Sequence, residues 1–147
     1  MNDIENLYRA VIMDHYKNPK NKGLIDDDSY KKVHLNNPSC GDDINVQLCL
    51  DGEKIKDIRH EGTGCSICCS SASIMSQTLK GQATKKAKYI IRNFYELLKG
   101  AENIDEEALE EAIVYKGVAK FPARIKCASL SWKALESLIE DTDEEEN

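Results

Sequence analysis

No apolar run in the 147-residue chain is longer than four residues, far short of the roughly 20 needed to cross a bilayer. A membrane partner is excluded on that ground, and the protein is expected to be soluble. The chain also lacks a basic excess. Its formal net charge is −6, and its only basic pairs, Lys31-Lys32 and Lys85-Lys86, have no aromatic residues interleaved with them, as a stacking surface for bases requires. Nucleic acid is therefore excluded as a partner. No signal-peptide pattern opens the sequence, so the six cysteines are expected in the reducing cytoplasm, where clustered thiols serve metals or catalysis more often than disulfides. Internal repeats are missing, and the one biased stretch is the acidic run at the end of the chain. A single domain over residues 1–140, followed by an acidic disordered tail over 141–147, accounts for this layout. At this length folding buries roughly 70% of the unfolded chain's surface, so no disulfide staple is needed.

The periodicities that are present predict an α+β domain, a small antiparallel sheet of about three strands packed against helices. Ile4, Leu7, Tyr8, Val11, Ile12 and His15 recur at helical spacing until Asn18-Pro19, and His15 closes that stripe as a packed residue rather than a ligand. A loop from Lys20 to Asp28 leaves this helix as a loosely tethered arm. Ile44, Val46, Leu48 and Leu50 alternate with polar residues, Asp51-Gly52 supplies a tight turn, and Lys54 to Glu61 returns as the partner strand. Val33 to Leu35 adds a third strand. Helices are expected from Ser66 to Lys80, from a cap at Thr84 to Leu98, from Asn103 or Asp105 to Gly117, and onward from Pro122.

Chemistry gathers at the junctions between these elements. Cys40 lies in the corner Asn37-Pro38-Ser39-Cys40-Gly41-Asp42-Asp43, Cys65 follows Gly62-Thr63-Gly64, and Cys127 follows Pro122 closely. Cys40 and Asp42 are two residues apart and would leave an extended chain on one side, and the hairpin brings Cys65 back beside Cys40. Three thiolates and one carboxylate, Cys40, Asp42, Cys65 and Cys127, form a four-ligand set suited to zinc or iron. The bland alternative makes each cysteine a small buried hydrophobe, and for Cys49 and Cys68 that alternative is preferred. Cys65-Ser66-Ile67-Cys68 is formally a CxxC, but no second CxxC and no βαβ context accompany it. Cys69, four residues from Cys65, is left open as an exchangeable ligand or a sulfur acceptor. The set with Zn²⁺ would carry a net charge near −2, and Arg124 and Lys126 are the cations placed to offset it.

Leu7-Tyr8-Arg9, the run from Val11 to Pro19, and the segments Asn37 to Asp42, Gly62 to Ile67 and Arg124 to Leu130 resemble the first helix and the three cysteine motifs of the IscU/SufU family of iron–sulfur cluster assembly proteins. The likeness covers nearly the whole chain. Lys126 stands where the IscU branch carries a histidine, Phe121-Pro122-Ala123-Arg124 replaces that branch's double-proline motif, and an extra segment lies near Ala101 to Val118. These departures resemble the SufU branch. The resemblance implies a SufE/IscU-like fold and a zinc-dependent sulfurtransferase that accepts persulfide sulfur from a SufS-type cysteine desulfurase and stimulates it. Carried over, Cys40, Asp42, Cys65 and Cys127 are the zinc ligands and Cys40 the sulfur acceptor, freed when the desulfurase offers the zinc a ligand of its own. The alternative within the family is a scaffold on which an iron–sulfur cluster, in place of zinc, is assembled and handed to downstream proteins. Cys68 and Cys69 stand where the SufU branch is expected to carry Ser and Met.

Overall fold

Ile44, Val46 and Leu48 alternate with Asn45 and Gln47, a pattern with one face to bury, and the chain there forms β2 (Asp42–Asp51). The computed structural model describes residues 3–146, the last four of them as backbone only. β1 (Tyr30–Asn37) and β3 (Lys54–Thr63) flank β2 in an antiparallel sheet of order β1-β2-β3. The short third strand expected at Val33 to Leu35 is therefore present and longer. Val46 stands opposite Val33 and His60, and Ile44 opposite Leu35 and Gly62. The register shifts between Cys49 and Leu50, which pair with Asp57 and Ile55. That irregularity explains how Ile55 and Ile58, three residues apart, are both fully buried, because in an unbroken strand an odd spacing puts two side chains on opposite faces.

One face of the sheet is covered by α2 (Ser66–Leu79) and α5 (Pro122–Glu146). In α2 the run Ser70-Ser71-Ala72-Ser73 is fully buried, and its small side chains let neighbouring elements come close. Their hydroxyls are satisfied across helices: Ser71 donates to the Ala128 carbonyl and accepts from Trp132 Nε1 at 2.9 Å, and Ser70 bonds the Tyr115 hydroxyl. α3 (Thr84–Leu98) brings Phe94, which stacks on Trp132 at 3.9 Å between centroids and meets Tyr115 edge-on. Among the described residues no helix is long and apolar enough to cross a membrane.

Three local expectations are corrected. The cap of α3 is Ala83, not Thr84, because the hairpin turn takes hold of this segment: Ala83 bridges Lys54, and the Thr84 amide donates to the Glu53 carbonyl at 2.8 Å. Asp105 does cap the next helix, accepting from the Ala108 amide, but α4 (Glu106–Leu109) ends after one turn where Glu110 takes φ +49°. The chain then runs as a 3-10 helix from Glu110 to Lys120, straight through Gly117. Of its four buried residues, Ala112, Tyr115 and Val118 recur at a spacing of three, the period at which 3-10 side chains align, and Val114 lies beside them.

α1 (Asp3–Lys17) is docked rather than tethered loosely. His15, packed as expected, is buried between Ser73 Oγ and Glu111, each at 2.7 Å. The following segment lies along the free edge of β3, with Gly23 N–H to the His60 carbonyl at 2.8 Å and Arg59 donating to the carbonyls of Lys22 and Gly23. Of the expected tail over 141–147, the backbone to Glu146 continues α5, and Asn147 lies outside the described residues.

Candidate metal centre

The β1–β2 turn builds the first part of the site. Asn37 and Asp42 are the last paired residues of the two strands, and between them the Cys40 amide donates to the Asn37 carbonyl at 3.1 Å. Gly41 takes φ +70°, a left-handed conformation that glycine adopts freely. Cys40 thus sits in a turn and not in an extended strand, so the two-residue spacing is not what aims it toward Asp42. The turn does. Pro38, Ser39 and Gly41 are exposed and Cys40 is half-buried, while Asp42 beneath them is only 1% exposed.

The hairpin register supplies the second part. Asp43 pairs with Thr63, which lays Gly64 and Cys65 alongside Asp42. Cys65 is the N-cap of α2, and its backbone N–H donates to Asp42 Oδ1 at 3.0 Å. That approach depends on two glycines. A Cβ on Gly64 would lie 2.5 Å from Asp42 Oδ1, and one on Gly62 would run into the Asp43 carbonyl oxygen.

α5 supplies the third. Cys127 is fully buried in its first turns, with Sγ 3.6 Å from the Ala123 carbonyl, which also lies 4.0 Å from Cys40 Sγ. The donor atoms of Cys40, Asp42 and Cys127 all fall within 4.8 Å of one another. A tetrahedral zinc site with bonds of about 2.3 Å to sulfur has ligands about 3.7 Å apart, so the trio is already near the required spacing. Cys65 stands beside the trio rather than inside it, near enough to raise the Cys127 thiol further.

Electrostatics agree with the geometry. Burial pushes the Cys127 thiol well up from its ordinary value, and the neighbouring Asp42, Cys40 and Cys65 add to the shift. A buried carboxylate ringed by thiols is costly for any further negative charge, and a divalent cation would remove that cost. The donor set therefore fits zinc. Arg124 supplies a fixed positive charge: the nearby Cys127, and after it Cys65, hold its guanidinium still more firmly protonated.

Asn37 belongs to the site although its sequence context did not single it out. Its side chain is buried, and its Nδ2 lies 3.5 Å from Asp42 Oδ2 and 3.9 Å from Cys127 Sγ, so it spans the carboxylate and the deepest thiol. The only sequence signal for it was its place at the head of the Pro38 corner.

The remaining cysteines divide as expected. Cys49 and Cys68 are buried at 4% and 1% exposure, and burial pushes the Cys68 thiol far up. Cys69 is half-buried, its Sγ 3.7 Å from the Gly64 carbonyl, on the wall of a cleft of about 410 Å³ shared with Lys22, His60 and Thr63. All six cysteines are free thiols.

Known proteins resemble this chain in sequence and in fold. The family described as NifU-like N terminal domain matches residues 7–128. The chain is 48% identical over 134 residues to the zinc-dependent sulfurtransferase SufU of Bacillus subtilis strain 168, covering 91% of this chain and 90% of the relative. It is 40% identical to the iron–sulfur cluster assembly scaffold protein IscU of Streptococcus pyogenes serotype M1, covering 95% and 86% of the two chains. A crystal structure of a hypothetical protein superposes with a TM-score of 0.86 at 41% identity, covering 92% of this chain and 98% of the other.

Proposed function

The chain belongs to the family of NifU-like N-terminal domains, and on that premise we propose that it is a zinc-dependent sulfur acceptor for a cysteine desulfurase of the SufS type, in iron–sulfur cluster assembly. The working unit is the single domain over 1–140, with the acidic run from 141 as its tail, and the compartment is the cytoplasm, where free thiols persist. Cys40, Asp42, Cys65 and Cys127 hold the zinc. The observation that carries the reading is the layering of the donors. Asp42 and Cys127 are buried, whereas Cys40 lies half-buried in a turn of exposed residues, so it is the thiol a partner reaches first. Cys65 is half-buried too, but its backbone is locked to Asp42.

Bound zinc would hold the cysteines as thiolates. Cys40 Sγ then attacks the outer sulfur of the partner's persulfide. The S–S bond breaks, its electron pair leaves with the partner's cysteine thiolate, and the sulfane sulfur remains on Cys40 as a new persulfide. Asp42 and Cys127, positioned by Asn37 and the Cys65 amide, keep the site assembled while Cys40 is engaged. Arg124 offsets the negative charge of the thiolates.

The test is alanine formation from cysteine by a SufS-type desulfurase, with and without the zinc-loaded chain. Strong stimulation that Cys40→Ala abolishes is expected. Stimulation retained by Cys40→Ala would overturn the assignment of the acceptor. A second reading is favoured by the similarity to the Streptococcus scaffold over 95% of this chain: an iron–sulfur cluster is the cargo, built at the same cysteines and passed to downstream assembly proteins. Anaerobic reconstitution that yields a cluster transferable to an apo-protein, without desulfurase stimulation, would move the assignment there.

A further inference from the structure

Cys65 and Cys69 stand at the two ends of the first turn of α2. The Cys69 amide donates to the Cys65 carbonyl at 3.1 Å, so the two Cα atoms are about 6 Å apart at about 1.5 Å of rise per residue. Disulfides span Cα separations of roughly 4.4–6.8 Å. Helical side chains lean toward the N-terminus, and Cys69 does so: its Sγ reaches the carbonyl of Gly64, the residue before Cys65. The Cys69 sulfur is thereby turned back toward the end of the turn where Cys65 stands. Both thiols are half-buried, and Cys69 also opens onto the cleft bounded by Lys22, His60 and Thr63. A small oxidant or reductant reaches it there without crossing the buried layer of Asp42 and Cys127. Cys68, one position nearer in sequence, is packed in the core at 1% exposure. Cys69 also lies outside the trio of convergent donors, so its use removes none of them.

We propose that Cys69 is the resolving thiol of Cys65: after a peroxide oxidises Cys65, the two close a disulfide that withdraws Cys65 from the metal in a form thiols can reverse. The Cys65 thiolate attacks one oxygen of hydrogen peroxide, the O–O bond breaks, and Cys65 becomes a sulfenic acid while hydroxide leaves and is protonated to water. The Cys69 sulfur then attacks the sulfenic sulfur, the S–O bond breaks, and a second water departs with the thiol proton. Two thiols are oxidised and one peroxide is reduced to two waters. Without a resolving thiol, further peroxide drives the sulfenic acid to sulfinic acid, which thiols do not restore.

The inference rests on the proposed function only for the role of Cys65 as a ligand. The full-length zinc-loaded chain is treated with hydrogen peroxide, zinc release is followed with a chromophoric chelator, and the cysteines are mapped by alkylation and tandem mass spectrometry. Expected are a Cys65–Cys69 link within one peptide, zinc release, and near-complete return of both thiols and zinc binding on dithiothreitol treatment. Cys69→Ser and Cys69→Ala should bind zinc before treatment, release it on oxidation, and recover only a minor fraction, with Cys65 found as sulfinic acid. Cys68→Ser should retain the link. A wild-type link from Cys65 to Cys40, Cys68 or Cys127, or full recovery of both Cys69 variants, would overturn the proposal. A chain that forms the Cys65–Cys69 link but holds no zinc would remove the ligand reading and leave the resolving thiol standing.

Discussion

Gly64→Ala tests whether the metal centre is positioned by the backbone approach between β3 and α2. The added Cβ would lie 2.5 Å from Asp42 Oδ1 and 3.2 Å from both Asp42 Cα and Cγ. Real Cβ contacts do not fall below 3.0 Å, so the carboxylate must retreat by about half an ångström or more. Its room to do so is small, because the Cys65 amide holds Oδ1 at 3.0 Å and Asn37 lies 3.5 Å from Oδ2. The retreat therefore breaks or lengthens the bond from the Cys65 amide, a charge-assisted hydrogen bond of about 1.5–3 kcal/mol. At about 1.4 kcal/mol per decade this corresponds to zinc binding weakened by roughly 10- to 100-fold, the same range expected from disturbing the groups that orient metal ligands.

Competition with a chelator of known zinc affinity measures this directly, and the melting of the zinc-free protein must be measured beside it, because overpacking alone costs about 1–3 kcal/mol. Gly117→Ala is the control: nothing lies within 4 Å of its added Cβ, and its zinc affinity should equal that of the wild type. If Gly64→Ala lowered the zinc-free melting temperature and left zinc affinity unchanged, the approach of Gly64 to Asp42 would be packing alone, and the orienting role assigned to the Cys65 amide would be wrong.

Trp132→Ala removes a fully buried ring stacked on Phe94 and bonded to Ser71, and should lower stability by about 3–5 kcal/mol in denaturant unfolding followed by circular dichroism; a loss below about 1.5 kcal/mol would mean that this core collapses around the gap. Partial burial pushes the Glu111 carboxyl up, but hydrogen bonds from His15 and Gln77 together outweigh it and hold the group below its ordinary 4.5. A lowered folded-state value stabilises the protein above pH 4.5, and that stabilisation is lost as pH falls through the folded value. Glu111→Gln should therefore be less stable than the wild type above pH 4.5, with the gap closing below it; a gap that did not change with pH would remove Glu111 as the acid-sensitive tie between α1 and the 3-10 helix.

The ligands were legible in the sequence because each sits on a device that local chemistry determines. Pro38 and Gly41 bracket the turn of Cys40, Asp51-Gly52 closes the hairpin that returns Cys65, and Pro122 opens the helix that carries Cys127. The groups that orient those ligands were not legible, because each acts across a register that only the fold sets. Asn37 belongs to the site because it pairs with Asp42 and faces Cys127, 90 positions away. Gly62 and Gly64 matter only because β2 is laid against them at that register. The 3-10 helix was hidden for a different reason: Leu109, Ala112 and Ile113 suit an α-helical stripe, and the switch is made by the backbone of Glu110, a residue type that does not announce a positive φ. Reading the metal centre from sequence thus finds donors but not their precision. Cys69 shows the same limit: its spacing from Cys65 was legible, but the place of its sulfur over the Gly64 carbonyl and outside the donor trio is set by the fold.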